Sequence, residues 1–263
     1  MNDTPLQITA RDNPLLLRLR KLVRDAAAYR KLGLLWLEGE HLCSALLLRG
    51  GLPQQAVISH SAWDQPALRA LAQVAPRCVL LPDALFEGLS SLPSPARLGF
   101  VLAAPVPPAI DPSAPSLVLD RVQDSGNVGS MLRTAAAFGF EQVLALQGTA
   151  ALWSPKVLRA GMGAHFGLRL VEGLALADLS ALTVPMVGTS LGSSRLLPQA
   201  SLPQPCAWIM GHEGQGVAAE LLARCALVLR VPQPGGEESL NVAAAAAVCL
   251  YESARQAAAH SRQ

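Results

Sequence analysis

The feature that most restricts the fold is an alternation running through the second half of the chain. Short apolar runs at 117–119, 142–146, 168–171, 184–188, 207–210 and 226–231 are separated by stretches with helical spacing at 128–138, 155–162, 217–224 and 242–257. Apolar runs of this length read as strands buried on both faces, so the pattern predicts a mostly parallel sheet with helices on both sides. In such sheets ligands bind beyond the C-terminal ends of the strands, where loops lead into helices.

The first half alternates too, on a smaller scale. Asn13-Pro14 reads as an N-cap followed by proline at the first helical position, and Leu15, Leu19, Leu22, Val23 and Ala26 continue with helical spacing. A strand is expected at 34–37, a helix at 40–49 ended by Gly50-Gly51, and further strands at 56–58, 78–81 and 100–102. Pro105, Pro107, Pro108, Pro112 and Pro115 then block both helix and sheet. The expected organisation is a small α/β domain over 1–103, a proline-rich linker over 104–116 and an α/β domain over 117–263.

Composition narrows the class. At 51% hydrophobic and 15% charged residues the chain can bury a sizeable core. The polar start Met1-Asn2-Asp3-Thr4-Pro5 does not look like a secretion signal, and the apolar run 242–251 is too short to span a bilayer, so a cytoplasmic protein is expected. Cys43, Cys78, Cys206, Cys225 and Cys249 are scattered and the five histidines lack ligand spacing, so neither disulfide nor metal site is expected. His212-Glu213 opens like a zinc-protease motif, but no second histidine follows. The net charge of +2 is uninformative, but its distribution is not: residues 11–31 hold seven basic and two acidic residues. Arg18, Arg20, Lys21, Arg24, Arg30 and Lys31 form either a phosphate-binding face or an ordinary solvated one.

Polar residues gather in three loops, each placed after a strand. The first is Asp124-Ser125-Gly126-Asn127-Val128-Gly129, with Arg133 further along the helix; the second is Gly211-His212-Glu213-Gly214-Gln215-Gly216; the third runs from Val231 to Gly235-Gly236-Glu237-Glu238-Ser239-Leu240-Asn241. Taken singly, Asn127 and Asn241 read equally well as helix caps and the glycines as turns. Together the loops fall at one edge of one sheet.

N-x-G-x-x-x-R, G-x-E-G-x-G and E-S-L-N-V in this order resemble the SpoU (TrmH) family of RNA ribose methyltransferases, over roughly residues 115–257. The resemblance implies a trefoil-knotted sheet of the SPOUT class and transfer of a methyl group from S-adenosylmethionine to a ribose 2′-hydroxyl of RNA. It implies a cofactor held against Gly211, Val231 and Leu240 with Thr189 nearby, and a catalytic set of Asn127, Arg133, Glu213, Ser239 and Asn241. A homodimer is also implied, the final helix being apolar all round; cover by another helix of the same chain fits that pattern equally. The first half resembles the ribosomal protein L30e-like RNA-binding domain, through Asn13-Pro14, Tyr29-Arg30 and Leu37-Glu38-Gly39. Ribosomal RNA is therefore the favoured target, with transfer RNA open. Two departures from the family stand out: His212 where asparagine or a small residue is usual, and Gln233 where methionine is; both are read as tolerated.

The proton of the hydroxyl can leave by way of Arg133, Glu213 or water, and a guanidinium is a poor candidate because it so rarely deprotonates. Two other functions compete. Gly188-Thr189-Ser190-Leu191-Gly192 matches the nucleophile elbow of serine hydrolases, which requires a helix directly after the serine. A non-catalytic RNA-binding protein on the same fold is the other.

Overall fold

A computed structural model of the chain describes residues 5–92, 94–235 and 239–260. It divides into two compact units, one of residues 1–106 with Trp153–Phe166, the other of Pro107–Leu152 with 167–263.

The first unit is built on a five-stranded sheet. Its elements in chain order are β1 (Leu6–Gln7), α1 (Pro14–Arg24), α2 (Ala28–Leu32), β2 (Leu34–Glu38), α3 (Glu40–Leu48), β3 (Gln55–Ser59), α4 (His60–Trp63), α5 (Pro66–Gln73), β4 (Cys78–Leu81), α6 (Asp83–Glu87) and β5 (Leu98–Ala103). The strands lie in the order β1-β4-β3-β5-β2. β1, β4 and β3 are parallel, and β5 runs antiparallel to both β3 and β2. Helix α1 starts as its sequence predicts: Asn13 Oδ1 accepts the Leu15 N–H at 2.9 Å and Pro14 needs no partner. Leu15, Leu16, Leu19 and Leu22 are buried. The helix stops at Arg24, short of Ala26, because Asp25 turns extended and its carboxylate takes the Ala27 N–H at 2.9 Å.

The second unit is the predicted parallel sheet. Its elements are β6 (Ser116–Leu119), α7 (Ser125–Ala137), β7 (Gln142–Leu146), β8 (Arg169–Leu174), β9 (Met186–Thr189), β10 (Ala207–Met210), α9 (Ala219–Arg224), β11 (Leu227–Leu229) and α10 (Val242–His260), with α8 (Pro155–Gly161) between β7 and β8 in sequence. Six strands lie in the order β11-β9-β10-β6-β7-β8, every pair parallel. Alternation across β10 shows how both faces are filled. Ala207 and Ile209 join Val118, Leu144, Val171 and Leu221 in one buried cluster. Trp208 is fully buried and donates its indole N–H to Ser253 Oγ on α10 at 2.8 Å.

One connection departs from expectation. Helix α8 follows β7 in sequence, yet it belongs to the first unit. There Arg159 faces Glu38 at 4.0 Å, the Glu38 carboxylate also accepts from Ser90, and the His41 imidazole meets the Met162 carbonyl at 3.3 Å. Amphipathic spacing finds such a helix but does not say which sheet it covers.

Candidate active site

The chain runs outward from β6 through β7 to β8, then crosses back to β9 and β10. The loops following β6, β9, β10 and β11 thus leave neighbouring strands at one sheet edge, where parallel sheets bind ligands.

After β6, Asp124 caps α7 by accepting the Asn127 N–H at 2.7 Å. Asn127 is therefore not the cap; it lies in the first turn with its amide free to point elsewhere. That amide donates to Glu213 Oε1 at 3.2 Å and accepts at Oδ1 from the Asn241 side chain at 3.0 Å. Asn241 is a cap as well: its Oδ1 takes the Ala243 and Ala244 N–H groups at 2.9 and 3.2 Å, opening α10. One residue from each motif is thus joined in the series Glu213–Asn127–Asn241.

Glu213 sits on a tight hairpin after β10, closed by His212 N–H to Gly216 O at 3.1 Å and Gly216 N–H to His212 O at 2.8 Å. Its carboxylate also receives the backbone N–H of Gln123 at 3.2 Å and of Asp124 at 3.0 Å. Partial burial works to raise its pKa, but the N–H groups of Asp124 and its own backbone, the Asn127 amide and the Gln123 N–H outweigh it. The carboxyl is held below its ordinary value.

Gly211 opens this hairpin for a reason the sequence does not reveal. A Cβ there would stand 2.2 Å from the Gly216 carbonyl carbon and 2.2 Å from the Val217 nitrogen. The space a side chain would need is taken by the hairpin's own backbone.

Beside the hairpin lies a cavity of about 480 Å³, within the usual range for a small-molecule site. Thr189, Gly211, Val231 and Leu240, the four residues expected to hold a cofactor, line it together with Glu213 and Ser239. Leu222 and Leu229 add apolar wall. Asn127, Asn241 and Arg133 are not among its lining residues. Arg133 projects from α7, exposed, and makes no hydrogen bond or ion pair among the described residues. Gly236, Glu237 and Glu238 of the third motif lie outside the described residues.

Two neighbours of the hairpin, Asp120 and Arg121, escaped the sequence reading. The buried Asp120 carboxylate binds Arg121 through Nε at 2.8 Å and Nη2 at 3.1 Å, and accepts the Ala218 N–H at 2.8 Å. Arg121 then donates to Gln215 Oε1 at 3.0 Å, so the end of β6 braces both sides of the hairpin. A carboxylate next to an arginine is too common in sequences to flag this. His212 also has a role of its own: its Nδ1 accepts the N–H groups of Gly214 and Gln215 at 3.0 and 3.3 Å. Its reading as a merely tolerated departure is thereby revised.

The hydrolase reading fails at Ser190. No helix follows it; the chain enters turns and then a 3-10 turn at Leu197–Gln199, while Ser190 Oγ accepts the Gly192 N–H at 3.3 Å. On the first unit, Arg18, Lys21, Arg24, Arg30 and Lys31 are exposed. Arg20 is committed elsewhere, donating to Arg11 O at 2.6 Å. All five cysteines are free, and burial pushes their thiols up, those of Cys78, Cys206 and Cys225 to about 11. Among the described residues no cluster of three or more His, Cys, Asp or Glu is placed to hold a metal ion, and no helix is long and apolar enough to cross a membrane.

A parallel α/β sheet with three polar loops joined beside a small-molecule cavity defines a class of ligand-binding α/β proteins, and known proteins narrow it. Residues 114–251 match the model of the SpoU rRNA Methylase family. The 23S rRNA (guanosine(2553)-2′-O)-methyltransferase RlmP of Bacillus subtilis (strain 168) is 32% identical over 218 residues, covering 82% of this chain and 86% of its own length. The 23S rRNA (guanosine-2′-O-)-methyltransferase RlmB of Bordetella pertussis (strain Tohama I) is 38% identical over 144 residues, 53% of this chain and 59% of its own. Among solved structures, an RNA 2′-O ribose methyltransferase superposes with a TM-score of 0.81 at 28% identity, covering 96% of this chain and 100% of that one. The SpoU methyltransferase AviRb of Streptomyces viridochromogenes shares the fold, with a TM-score of 0.85 at 20% identity over 94% and 98% of the two chains. The chain belongs to the SpoU rRNA methylase family.

Proposed function

We propose that this protein transfers the methyl group of S-adenosylmethionine to a ribose 2′-hydroxyl of RNA, ribosomal RNA being favoured over transfer RNA. The observation that carries the proposal is the hydrogen-bonded series Glu213–Asn127–Asn241, whose Glu213 end lines the same cavity as Thr189, Gly211, Val231 and Leu240. Relatives named as 23S rRNA 2′-O-methyltransferases support both the reaction and the target. An AdoMet complex of AviRb supports the cofactor. A cytoplasmic location goes with that target.

The cavity suits that cofactor on its own terms. Its apolar wall can take a purine, while Thr189, Ser190 and Ser239 offer hydroxyls to ribose and amino acid groups. Once bound, the cofactor supplies an activated methyl on a sulfonium. The protein's share is then to orient the reactants and manage charge on the hydroxyl oxygen. Glu213 is poorly suited to remove the proton, since its oxygens already accept three N–H donors and its pKa is lowered. It acts instead as the fixed point to which Asn127 and Asn241 are tied. Arg133, exposed and unpaired, binds the target phosphate and stabilises the forming alkoxide. The proton passes to water.

The first unit is the RNA-gripping domain in this reading, with Arg18, Lys21 and Arg24 toward phosphates. The working form is a homodimer. Val248 and Tyr251 of α10 remain 41% and 55% exposed although the helix packs on α7 and β10, and Arg133 stands outside its own chain's cavity. Both features suit an Arg133 that serves the partner's site.

Calorimetry with S-adenosylhomocysteine tests the cofactor half. Saturable binding that is lost on filling the cavity, as in Leu240→Trp, is expected. Absence of binding by the wild-type protein would end the proposal.

A further inference from the structure

The turn that delivers Glu213 to Asn127 is closed by backbone bonds between His212 and Gly216, and a second time from the side by the imidazole. His212 Nδ1 lies 3.0 Å from the Gly214 nitrogen and 3.3 Å from that of Gln215. A backbone N–H can only donate, so Nδ1 must be an unprotonated acceptor, and the ring proton resides on Nε2. This is the geometry by which an asparagine carbonyl closes a turn onto N–H groups two and three residues ahead. The charged groups around the turn are already engaged: Glu213 by Gln123 and Asp124 N–H, Asp120 by Arg121 and Ala218 N–H, and Asp124 by Asn127 N–H. The turn's own N–H groups are what select the state of the imidazole.

We propose that His212 is a positioning residue for the methyl transfer: with Nδ1 as acceptor and its proton on Nε2, its imidazole closes the turn that holds Glu213 against Asn127. The proposal rests on the methyltransferase reading for its effect on catalysis, but not for its structural core.

Three measurements on the full-length protein test it. Long-range nitrogen–proton correlation of the imidazole is expected to show the Nε2–H tautomer near neutral pH; an Nδ1–H tautomer would overturn the proposal whatever the activity. His212→Ala is expected to lower kcat about tenfold, the effect of one hydrogen bond of about 1.4 kcal/mol, with the KM for RNA nearly unchanged. His212→Asn, which restores a side-chain acceptor, is expected to recover most of it. Equal activity of His212→Ala and wild type, or equal impairment of the alanine and asparagine variants, would overturn it. A wild-type protein that transfers no methyl would refute the methyltransferase reading, while the tautomer measurement would still decide the role of His212.

Discussion

Gly211 and Glu213 show how two residues of one short motif can matter for unrelated physical reasons. Gly211 is required by backbone crowding, so Gly211→Ala already forces the hairpin apart. Overpacking of this kind costs about 1–3 kcal/mol. Thermal unfolding should show a lower midpoint together with weaker cofactor binding; unchanged stability with lost binding would mean that the added side chain obstructs the ligand rather than the hairpin. Glu213 is required by charge. Its pKa in the fold lies below that in the unfolded chain, so its bonds stabilise the fold fully above the ordinary carboxylate value and are lost as pH falls through the lowered one. Urea unfolding of wild type and Glu213→Gln should give a stability gap that is flat near neutrality and narrows below about pH 4.5. Solvent exposure keeps the gap modest. A gap independent of pH would mean that the carboxylate's charge contributes nothing. That these residues belong to one site was legible in the sequence through the motif resemblance. Their mechanisms were not, since which atoms crowd a Cβ or meet a carboxylate is a matter of loops that lie 86–90 residues apart.

At the scale of elements, the six strands of the second unit follow the apolar runs closely, because burial on both faces leaves a strong mark. Helix ends moved more. α7 begins at Ser125 rather than 128 since Asp124, not Asn127, is its cap. The placement of α8 was not legible, because its apolar face fits either sheet. The first helix gives a direct test of the RNA reading. Reversing Arg18, Lys21 and Arg24 to glutamate should weaken RNA binding and flatten its salt dependence, because fewer counterions are released. Cofactor affinity should stay the same. Arg20 is left out of the set because its guanidinium holds the Arg11 carbonyl. An unchanged salt slope would make this face an ordinary solvated one. At the far end of the chain, Asn241→Ala removes both a helix cap and the tie to Asn127. Loss of the cap alone should cost about 1 kcal/mol, whereas methyl transfer should fall much further.

The whole molecule combines a mixed sheet bearing a basic helix with a parallel sheet bearing the site, and the chain passes from one unit to the other more than once. If two copies share their sites, mixing inactive Arg133→Ala with inactive Asn241→Ala should restore activity at up to about half of the sites once subunits exchange. No recovery despite proven exchange would place Arg133 in the site of its own chain. The central claim is ribose methylation of ribosomal RNA, and one measurement meets it directly. 23S rRNA from a strain lacking this protein is incubated with the pure enzyme and S-adenosylmethionine, then cleaved with alkali and mapped along its length. The 2′-hydroxyl is the group through which alkali cuts the chain. Ribose methylation should therefore leave a single new position resistant to cleavage, absent with Arg133→Ala. Methyl incorporation with every position still cleaved, or no incorporation into any RNA offered, would contradict the account.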